Sequence, residues 1–257
     1  RTPMNAIVGF ASLLDDDTID PTEKSYFIQT IKNNSDILLT LINDILDISL
    51  IEANQLVLYK ERFCVDDTLV ELKKYYDLKN EKKLYIGLIA DNPGESAFIH
   101  NDPIRFRQIM TNLLNNAYKY TDHGYIRFGY HIVDNVIQFY VEDTGIGISE
   151  ENRKNIFQQF HKIEPDKKRF YQGAGIGLSI CERLVRLMGG SIIVESEIDV
   201  GSVFSFTLPF TQGEHTNKFD LPVSGESVQL NQIHVLVAED EPDNFYLIER
   251  LLRKNNA

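Results

Sequence analysis

Asn112, Asn116 and Lys119 fall at i, i+4 and i+7 of a segment running from Pro103 to Tyr120. At helical spacing this puts two carboxamides and one ammonium on one face. Such groups suit a hydrated Mg2+, which keeps most of its waters and takes few protein oxygens, and the phosphates of a nucleotide, whose charge an ammonium neutralises. Leu113, Leu114 and Ala117 interleave with them, so the helix should be buried on one side and turn its polar groups to a cavity. Two glycine clusters follow, Asp143-Thr144-Gly145-Ile146-Gly147 and Gly173-Ala174-Gly175-Ile176-Gly177-Leu178. Glycine lets a backbone approach a ligand closely, and the second cluster opens a helix whose N–H groups and dipole suit a phosphate. A Rossmann reading fails because Gly173 follows a polar, basic stretch rather than a strand. A Walker reading fails because no Gly-Lys-Ser/Thr follows.

The elements that must position these groups are legible in the periodicity. Pro3 to Leu14 carries Ile7, Phe10, Ala11 and Leu14 on one helical face, and Asp15 to Thr18 makes a turn. Pro21 to about Ala53 has a coiled-coil seam of Phe27, Ile31, Asn34, Leu38, Leu41, Ile45 and Ile48, with Asp20 as N-cap and Asn54 as a left-handed stop. Two helices bury such stripes less well than four, so a homodimeric four-helix bundle is expected, against the alternative of a hairpin packed on its own chain. Beyond Gln55 the pattern becomes α+β. Strands are expected at Leu56 to Phe63, Leu84 to Ala90, Tyr125 to Val133, Val136 to Glu142, Ser191 to Glu195 and Ser202 to Leu208. Helices are expected at Thr68 to Tyr76, Pro103 to Tyr120, Ser149 to Phe160 and Gly175 to Met188. Together they give a mixed sheet with helices on one face. Thr211 to Gln232 is a polar linker, followed by a buried strand from His234 to Glu239 and a helix from Asn244 to Lys254.

Composition narrows the function classes. With 257 residues, 43% hydrophobic and 25% charged, the chain has the balance of a globular protein. The 26 basic against 38 acidic residues give a net charge of −12, which repels phosphate backbones and anionic lipid heads, so no nucleic-acid partner is expected. Cys64 and Cys181 are too few for a disulfide framework, and a reducing compartment fits them. No apolar run approaches the roughly 20 residues of a membrane span, so no direct membrane insertion by this segment is expected.

The motifs together resemble the sensor histidine kinases of hybrid two-component systems. Asn112-Leu113-Leu114-Asn115-Asn116-Ala117-Tyr118-Lys119-Tyr120-Thr121 is similar to their N box, Asp143 to Gly147 to G1, Phe157 to Phe160 to the F box and Gly173 to Leu178 to G2. Ser196, Gly201, Ser202 and Phe204 resemble their closing turn and strand, with Asp199 where glycine is common. Arg1 to Phe10 resembles the segment just downstream of the phosphoacceptor histidine, and Val235 to Asn244 the opening of a receiver domain with Glu239-Asp240 as a variant acidic pair.

The resemblance implies an α+β fold: a helical hairpin forming a dimeric four-helix bundle, then an α/β sandwich with a mixed sheet of the Bergerat type. It divides the chain into a dimerisation and phosphotransfer hairpin over 1–53, a catalytic ATP-binding domain over 54–210, a linker over 211–232 and the start of a receiver over 233–257. ATP and Mg2+ are the implied cofactors. Asp143 would accept the adenine amino group, Gly145 and Gly147 would shape that pocket, and Asn116 would hold Mg2+. Asn112 and Lys119 would lie by the phosphates as catalytic groups, with Tyr120 beside them. Residues 160–174 would form an ATP lid hinged by Gly173, Gly175 and Gly177, with Leu178 beyond, while Lys167, Lys168 and Arg169 are read as a solvated charge run. Thr2 matches the position that orients water for dephosphorylating the receiver. None of the six histidines has the H-box context, so the acceptor is expected just upstream of Arg1 and the receiver aspartate beyond Ala257, the chain being read as a fragment. The implied activity is ATP-dependent histidine phosphorylation and passage of the phosphoryl group to a receiver aspartate, in cis or on a response regulator. A cytoplasmic location is expected, as part of a membrane-bound bacterial sensor. The alternative is a nucleotide-binding dimerisation and signal-relay module without transfer.

Overall fold

A proline at the first helical turn and a left-handed residue just past the last turn delimit the longest element, α2 (Pro21–Glu52). Its preceding Asp20 makes no side-chain cap bond, whereas Asn54 adopts φ 53 as its stop. In this computed structural model the described residues are 2–14, 19–90, 96–133, 136–159, 161, 175–210, 245–246, 248–250 and 252. The chain divides into two compact units, Arg1–Glu214 and His215–Ala257. In the second unit the described residues between 245 and 252 are helical, inside the helix expected there. The linker and the preceding strand lie outside the described residues.

In the first unit α1 (Thr2–Leu13) packs on α2, with Phe10 tilted against Phe27 at 5.2 Å and edge-on to Tyr26 at 6.2 Å. After α2 come β1 (Glu61–Cys64), α3 (Val65–Lys79), β2 (Tyr85–Ala90), β3 (Phe98–Asn101), α4 (Pro103–Tyr120), β4 (Tyr125–Val133), β5 (Val136–Asp143), α5 (Glu150–Arg153), α6 (Gly177–Leu187), β6 (Ile192–Glu197) and β7 (Gly201–Pro209). Five strands form one sheet in the order β2-β4-β5-β7-β6. Strand β2 runs parallel to β4 and the other pairs are antiparallel, so the sheet is mixed. Strands β1 and β3 make a separate antiparallel pair.

Alternation sets the core. Ile126, Phe128 and Tyr130, Ile137, Phe139 and Val141, and Phe204, Phe206 and Leu208 point from β4, β5 and β7 to one face. Helices α3, α4 and α6 cover that face through Leu69, Phe106, Ile109, Leu113, Ile180 and Leu184, all fully buried. Phe106 and Phe206 both lie against Phe139, at 4.8 and 4.9 Å between ring centroids.

Several expected boundaries move. Of the strand expected over Leu56 to Phe63, only Glu61 onward pairs; Leu56 and Leu58 pack on the core as extended chain while Val57 and Tyr59 face out. Its partner β3 was not anticipated. The helix expected from Ser149 to Phe160 is α-helical only to Arg153, after which Asn155 N to Asn152 O and Gln158 N to Asn155 O make three-residue turns. Helix α6 starts at Gly177 rather than Gly175, whose φ of 72 breaks the helical run. The hairpin seam is also divided: Ile48 is buried in the α/β core, Ile45 is 54% exposed, and Leu38 and Leu41 are half-buried.

Candidate active site

Helix α4 is fixed at its start more firmly than propensity requires. Asp102 Oδ1 accepts the amides of Ile104 and Arg105 at 3.0 Å each, its Oδ2 accepts the amide of Tyr59 at 2.9 Å, and Pro103 fills the first helical position. The buried Asn101 donates from Nδ2 to the carbonyl of Met188 at 3.1 Å, tying this cap to the end of α6. The apolar stripe of α4 then directs Asn112, Asn116 and Lys119 away from the sheet, and all three are half-buried.

Asn112 is the most informative of them. Its Nδ2 is buried with no oxygen or nitrogen partner and lies by the buried Cys181 thiol, opposing the rise that burial gives that thiol, and its carboxamide faces the first residue of α6: a Cβ added to Gly177 would stand 3.6 to 3.8 Å from the Asn112 side chain. A buried unsatisfied donor costs free energy unless a ligand or water meets it. Asn116 lies one turn on, and the Lys119 ammonium sits 4.7 Å from the centroid of the Tyr120 ring.

The turn after β5 supplies the second wall. Asp143 is 7% exposed, and its Oδ1 accepts the Gly145 amide at 2.8 Å and the Thr121 hydroxyl at 3.5 Å. Burial pushes its carboxyl up to about 6, against the pull of hydrogen bonds from the Gly145 amide, the Thr121 hydroxyl and the Ser202 amide, with the charge of Glu142 adding to the rise. A carboxylate held this way can accept from an amino group entering the cleft. Two glycines in this turn are required by space. A Cβ on Gly145 would stand 2.5 Å from the Tyr120 carbonyl oxygen, and one on Gly147, at φ 67, would stand 1.9 Å from the Glu197 carbonyl oxygen. The β6–β7 turn closes over the loop: the Asp199 amide donates to the Ile146 carbonyl at 2.9 Å, and Asp199 takes φ 60, the conformation glycine holds most cheaply. Ser196 Oγ accepts the Ile148 amide at 2.8 Å and donates to the Gly201 carbonyl at 2.7 Å.

Tyr120, Asp143 and Gly145 therefore meet where the end of α4 reaches the loop after β5, Asn112 meets Gly177 two turns back where α4 faces the start of α6, and Asn116 and Lys119 lie between them on α4. Gly175 is half-buried just before α6, and Leu178 packs on the core. Thr2 stands exposed on α1, which packs on α2. Gly173, Lys167, Lys168, Arg169 and Phe160 lie outside the described residues. Sequence reasoning gave no role to the fully buried Thr121, although it ends the same polar run as Lys119.

The same region is docked on the hairpin. Asp47 is 7% exposed and accepts from Arg105 Nη1 at 2.9 Å and Gln108 Nε2 at 2.7 Å. Glu52 Oε1 meets Gln159 Nε2 at 3.0 Å and Arg183 Nη1 at 3.5 Å. Burial, followed by the charge of Asp47, pushes Asp44 up to about 6.

Comparison with known proteins places both regions. Residues 1–54 match the family described as "His Kinase A (phospho-acceptor) domain", and residues 101–212 match "Histidine kinase-, DNA gyrase B-, and HSP90-like ATPase". Hybrid signal transduction histidine kinase B of Dictyostelium discoideum is 37% identical over 242 residues, covering 90% of this chain and 12% of that protein. The sensor protein GacS of Pseudomonas syringae pv. syringae is 35% identical over 250 residues, covering 93% of this chain and 27% of its own length. The chain spans between 12% and 22% of the length of the first three curated relatives it matches. Among solved structures, full-length ShkA in complex with AMPPNP is 30% identical with a TM-score of 0.64, over 83% of this chain and 44% of ShkA. Histidine kinase ThkA in complex with response regulator protein TrrA is 26% identical with a TM-score of 0.60, over 81% of this chain and 58% of that chain.

Proposed function

We infer the function of this chain from the family to which it belongs, the sensor histidine kinases, whose phosphoacceptor and ATPase domains it carries in that order. It binds ATP with Mg2+ and is the kinase core of a hybrid two-component protein, with the hairpin over 1–53, the ATP-binding domain over 54–210, a linker over 211–232 and a receiver start over 233–257. The observation that carries this reading is the buried Asp143, whose Oδ1 is held by the Gly145 amide and the Thr121 hydroxyl beside the end of α4, the helix that also bears Asn112, Asn116 and Lys119. Asp143 accepts the adenine amino group. Asn116 supplies the carboxamide oxygen for the cation, and Asn112 and Lys119 face the phosphates. The group fits the residues present, because an orphaned carboxamide donor and a nearby ammonium suit phosphate oxygens, and a cation held by few protein oxygens is the habit of Mg2+. When bound, Mg2+ neutralises the triphosphate. The residues themselves orient the nucleotide, and positioning with charge neutralisation does the rest of the work of phosphoryl transfer.

The phosphoryl group goes to an imidazole of the hairpin and then to a receiver aspartate, in cis or on a response regulator. The relative crystallised with a response regulator and the receiver-like run from Val235 to Asn244 support that partner. A second copy completes the bundle: Ile28, Leu39, Ile42, Ile45 and Leu46 all leave apolar surface exposed on α2, more than a lone hairpin should carry. Thr2, by the match of Arg1 to Phe10, orients water for the reverse reaction. Among the described residues no helix is long and apolar enough to cross a membrane, and a cytoplasmic site of action fits the use of ATP. The relatives come from Dictyostelium and from bacteria alike.

Calorimetric titration with ATP, with and without Mg2+, tests binding, and γ-labelled ATP tests transfer. Binding that strengthens with Mg2+ is expected. Acid-labile, base-stable label on any of His100, His123, His131, His161, His215 or His234 would refute the assignment of the acceptor.

A further inference from the structure

The last four carbonyls of a helix have no partner within it, and in α4 they are met by three routes. The Ala117 carbonyl accepts the Thr121 amide at 3.0 Å, and the Tyr120 carbonyl accepts the Ile146 amide of the glycine loop at 3.3 Å. The other two, Tyr118 and Lys119, accept from a single ammonium, Lys82 Nζ, at 2.7 and 3.3 Å. The same Nζ donates to the Thr121 carbonyl at 2.8 Å and reaches Asp122 Oδ1 at 3.4 Å. A cation at this position also opposes the negative end of the helix dipole.

Lys82 is delivered by a braced turn between α3 and β2. Asn80 Nδ2 donates to the Leu84 carbonyl at 2.6 Å, Asn80 Oδ1 accepts the Leu84 amide at 3.0 Å, and Lys83 takes φ 56 to bend the chain. The Lys82 ammonium is also 5.1 Å from the centroid of the Tyr118 ring. It therefore grips the stretch that leaves α4 from the turn between α3 and β2, a segment with none of the residues assigned to the nucleotide. That stretch has little tolerance. The Thr121 hydroxyl reaches Asp143 at 3.5 Å, the outer limit of a hydrogen bond, and the Tyr120 carbonyl lies so close to Gly145 that a Cβ there would stand 2.5 Å from its oxygen.

We propose that Lys82 is a positioning residue for nucleotide selection: by clamping the backbone from Tyr118 to Thr121 it sets the Thr121 hydroxyl on the Asp143 carboxylate and the Tyr120 carbonyl against the glycine loop. The proposal rests on the reading of Asp143 as the acceptor of the adenine amino group. With that acceptor held, adenine is favoured over guanine, which presents a carbonyl where adenine presents its amino group. With the clamp removed, Asp143 loses its fixed orientation and selection falls, even where the triphosphate is still bound.

The test titrates ATP and GTP, each with Mg2+, into the full chain and into Lys82→Met, Lys82→Arg and Lys82→Gln. Lys82→Met should weaken ATP about tenfold and GTP by about twofold or less, so that the ATP preference falls about fivefold, the scale of one lost charge-assisted positioning contact. Lys82→Arg keeps a cation with several donors and should hold the preference within about twofold of the parent. In a Thr121→Val background, Lys82→Met should change the preference less than it does in the parent, because the two act through one contact. Lys82→Gln keeps amide donors for one carbonyl and decides the matter if Lys82→Met does not fold, with an expected fall in preference of about threefold. Tyr130→Phe, which removes the hydroxyl bond to Asp66 at 2.9 Å, is the control for general loosening of the domain. Equal losses for ATP and GTP in the Lys82 variants, an unchanged preference, or an equal fall in Tyr130→Phe would overturn the proposal. A parent that binds ATP no better than GTP would instead remove the adenine reading, and the proposal with it.

Discussion

Replacing Asp143 by Asn should make the protein more stable at neutral pH and worse at holding adenine. The carboxyl titrates at about 6 in the folded chain against an ordinary 3.8, chiefly because it is buried. The folded state then holds this proton more tightly than the unfolded state. Its contribution to stability is fully present below pH 3.8 and is lost as pH rises through about 6. Displacement from 3.8 to about 6 corresponds to about 2–3 kcal/mol at 1.36 kcal/mol for each tenfold change in acidity. Asn keeps an Oδ1 for the Gly145 amide and the Thr121 hydroxyl and carries no charge, so it escapes that cost. Urea unfolding of parent and Asp143→Asn from pH 4 to 8 should therefore show stabilities that nearly coincide near pH 4, diverge between about pH 4 and 6, and stay apart above about pH 6 by about 2–3 kcal/mol in favour of Asn. Asp44, also raised to about 6, gives the parent a pH dependence of its own, but this is common to both proteins and cancels in the difference. ATP affinity at pH 7.5 should fall by about 1.5–3 kcal/mol, the worth of a hydrogen bond to a charged acceptor. An Asn variant no more stable than the parent at pH 7.5, or one that binds ATP as tightly, would refute the account of Asp143 as a strained acceptor kept for its ligand.

Three other outcomes follow from the same geometry. Asn116→Ala should abolish the gain in ATP affinity that Mg2+ brings while leaving Mg2+-free binding within about twofold, as titration with and without EDTA would show. Asp47→Ala leaves Arg105 and Gln108 without their shared acceptor at the foot of α2 and should lower stability by about 2–3 kcal/mol in urea unfolding, with Asp47→Asn losing less. Leu39→Glu with Leu46→Glu puts charges on two α2 positions that are 58% and 55% exposed, and sedimentation should then show monomers that still bind ATP. A double variant that remained associated would place the contact between copies elsewhere.

What could be read from the sequence is what adjacent residues enforce on one another. Asp102-Pro103 followed by an apolar stripe makes α4 and fixes which face bears Asn112, Asn116 and Lys119, because both the cap and the period of 3.6 are local. Gly145 and Gly147 announced a loop that admits no Cβ, and the atoms that exclude one, the carbonyls of Tyr120 and Glu197, came from segments no local pattern connects to it. The misread pieces share a cause. Leu56 to Phe63 alternates as a strand should, yet pairing needs a partner, and β3 stands only beside its last residues. Ile48 belongs to the heptad seam by spacing and to the α/β core by contact, since Asp47 beside it meets Arg105 and Gln108 from a helix more than fifty residues away in sequence. Thr121 and Lys82 look like ordinary polar residues in the sequence. Their importance comes from a carboxylate 22 positions away and from carbonyls 36 to 39 positions away. Periodicity encodes which face of an element is apolar, but the partner of a buried polar atom is settled only when distant elements are brought together, because the cost of leaving it unpaired arises only once water is excluded.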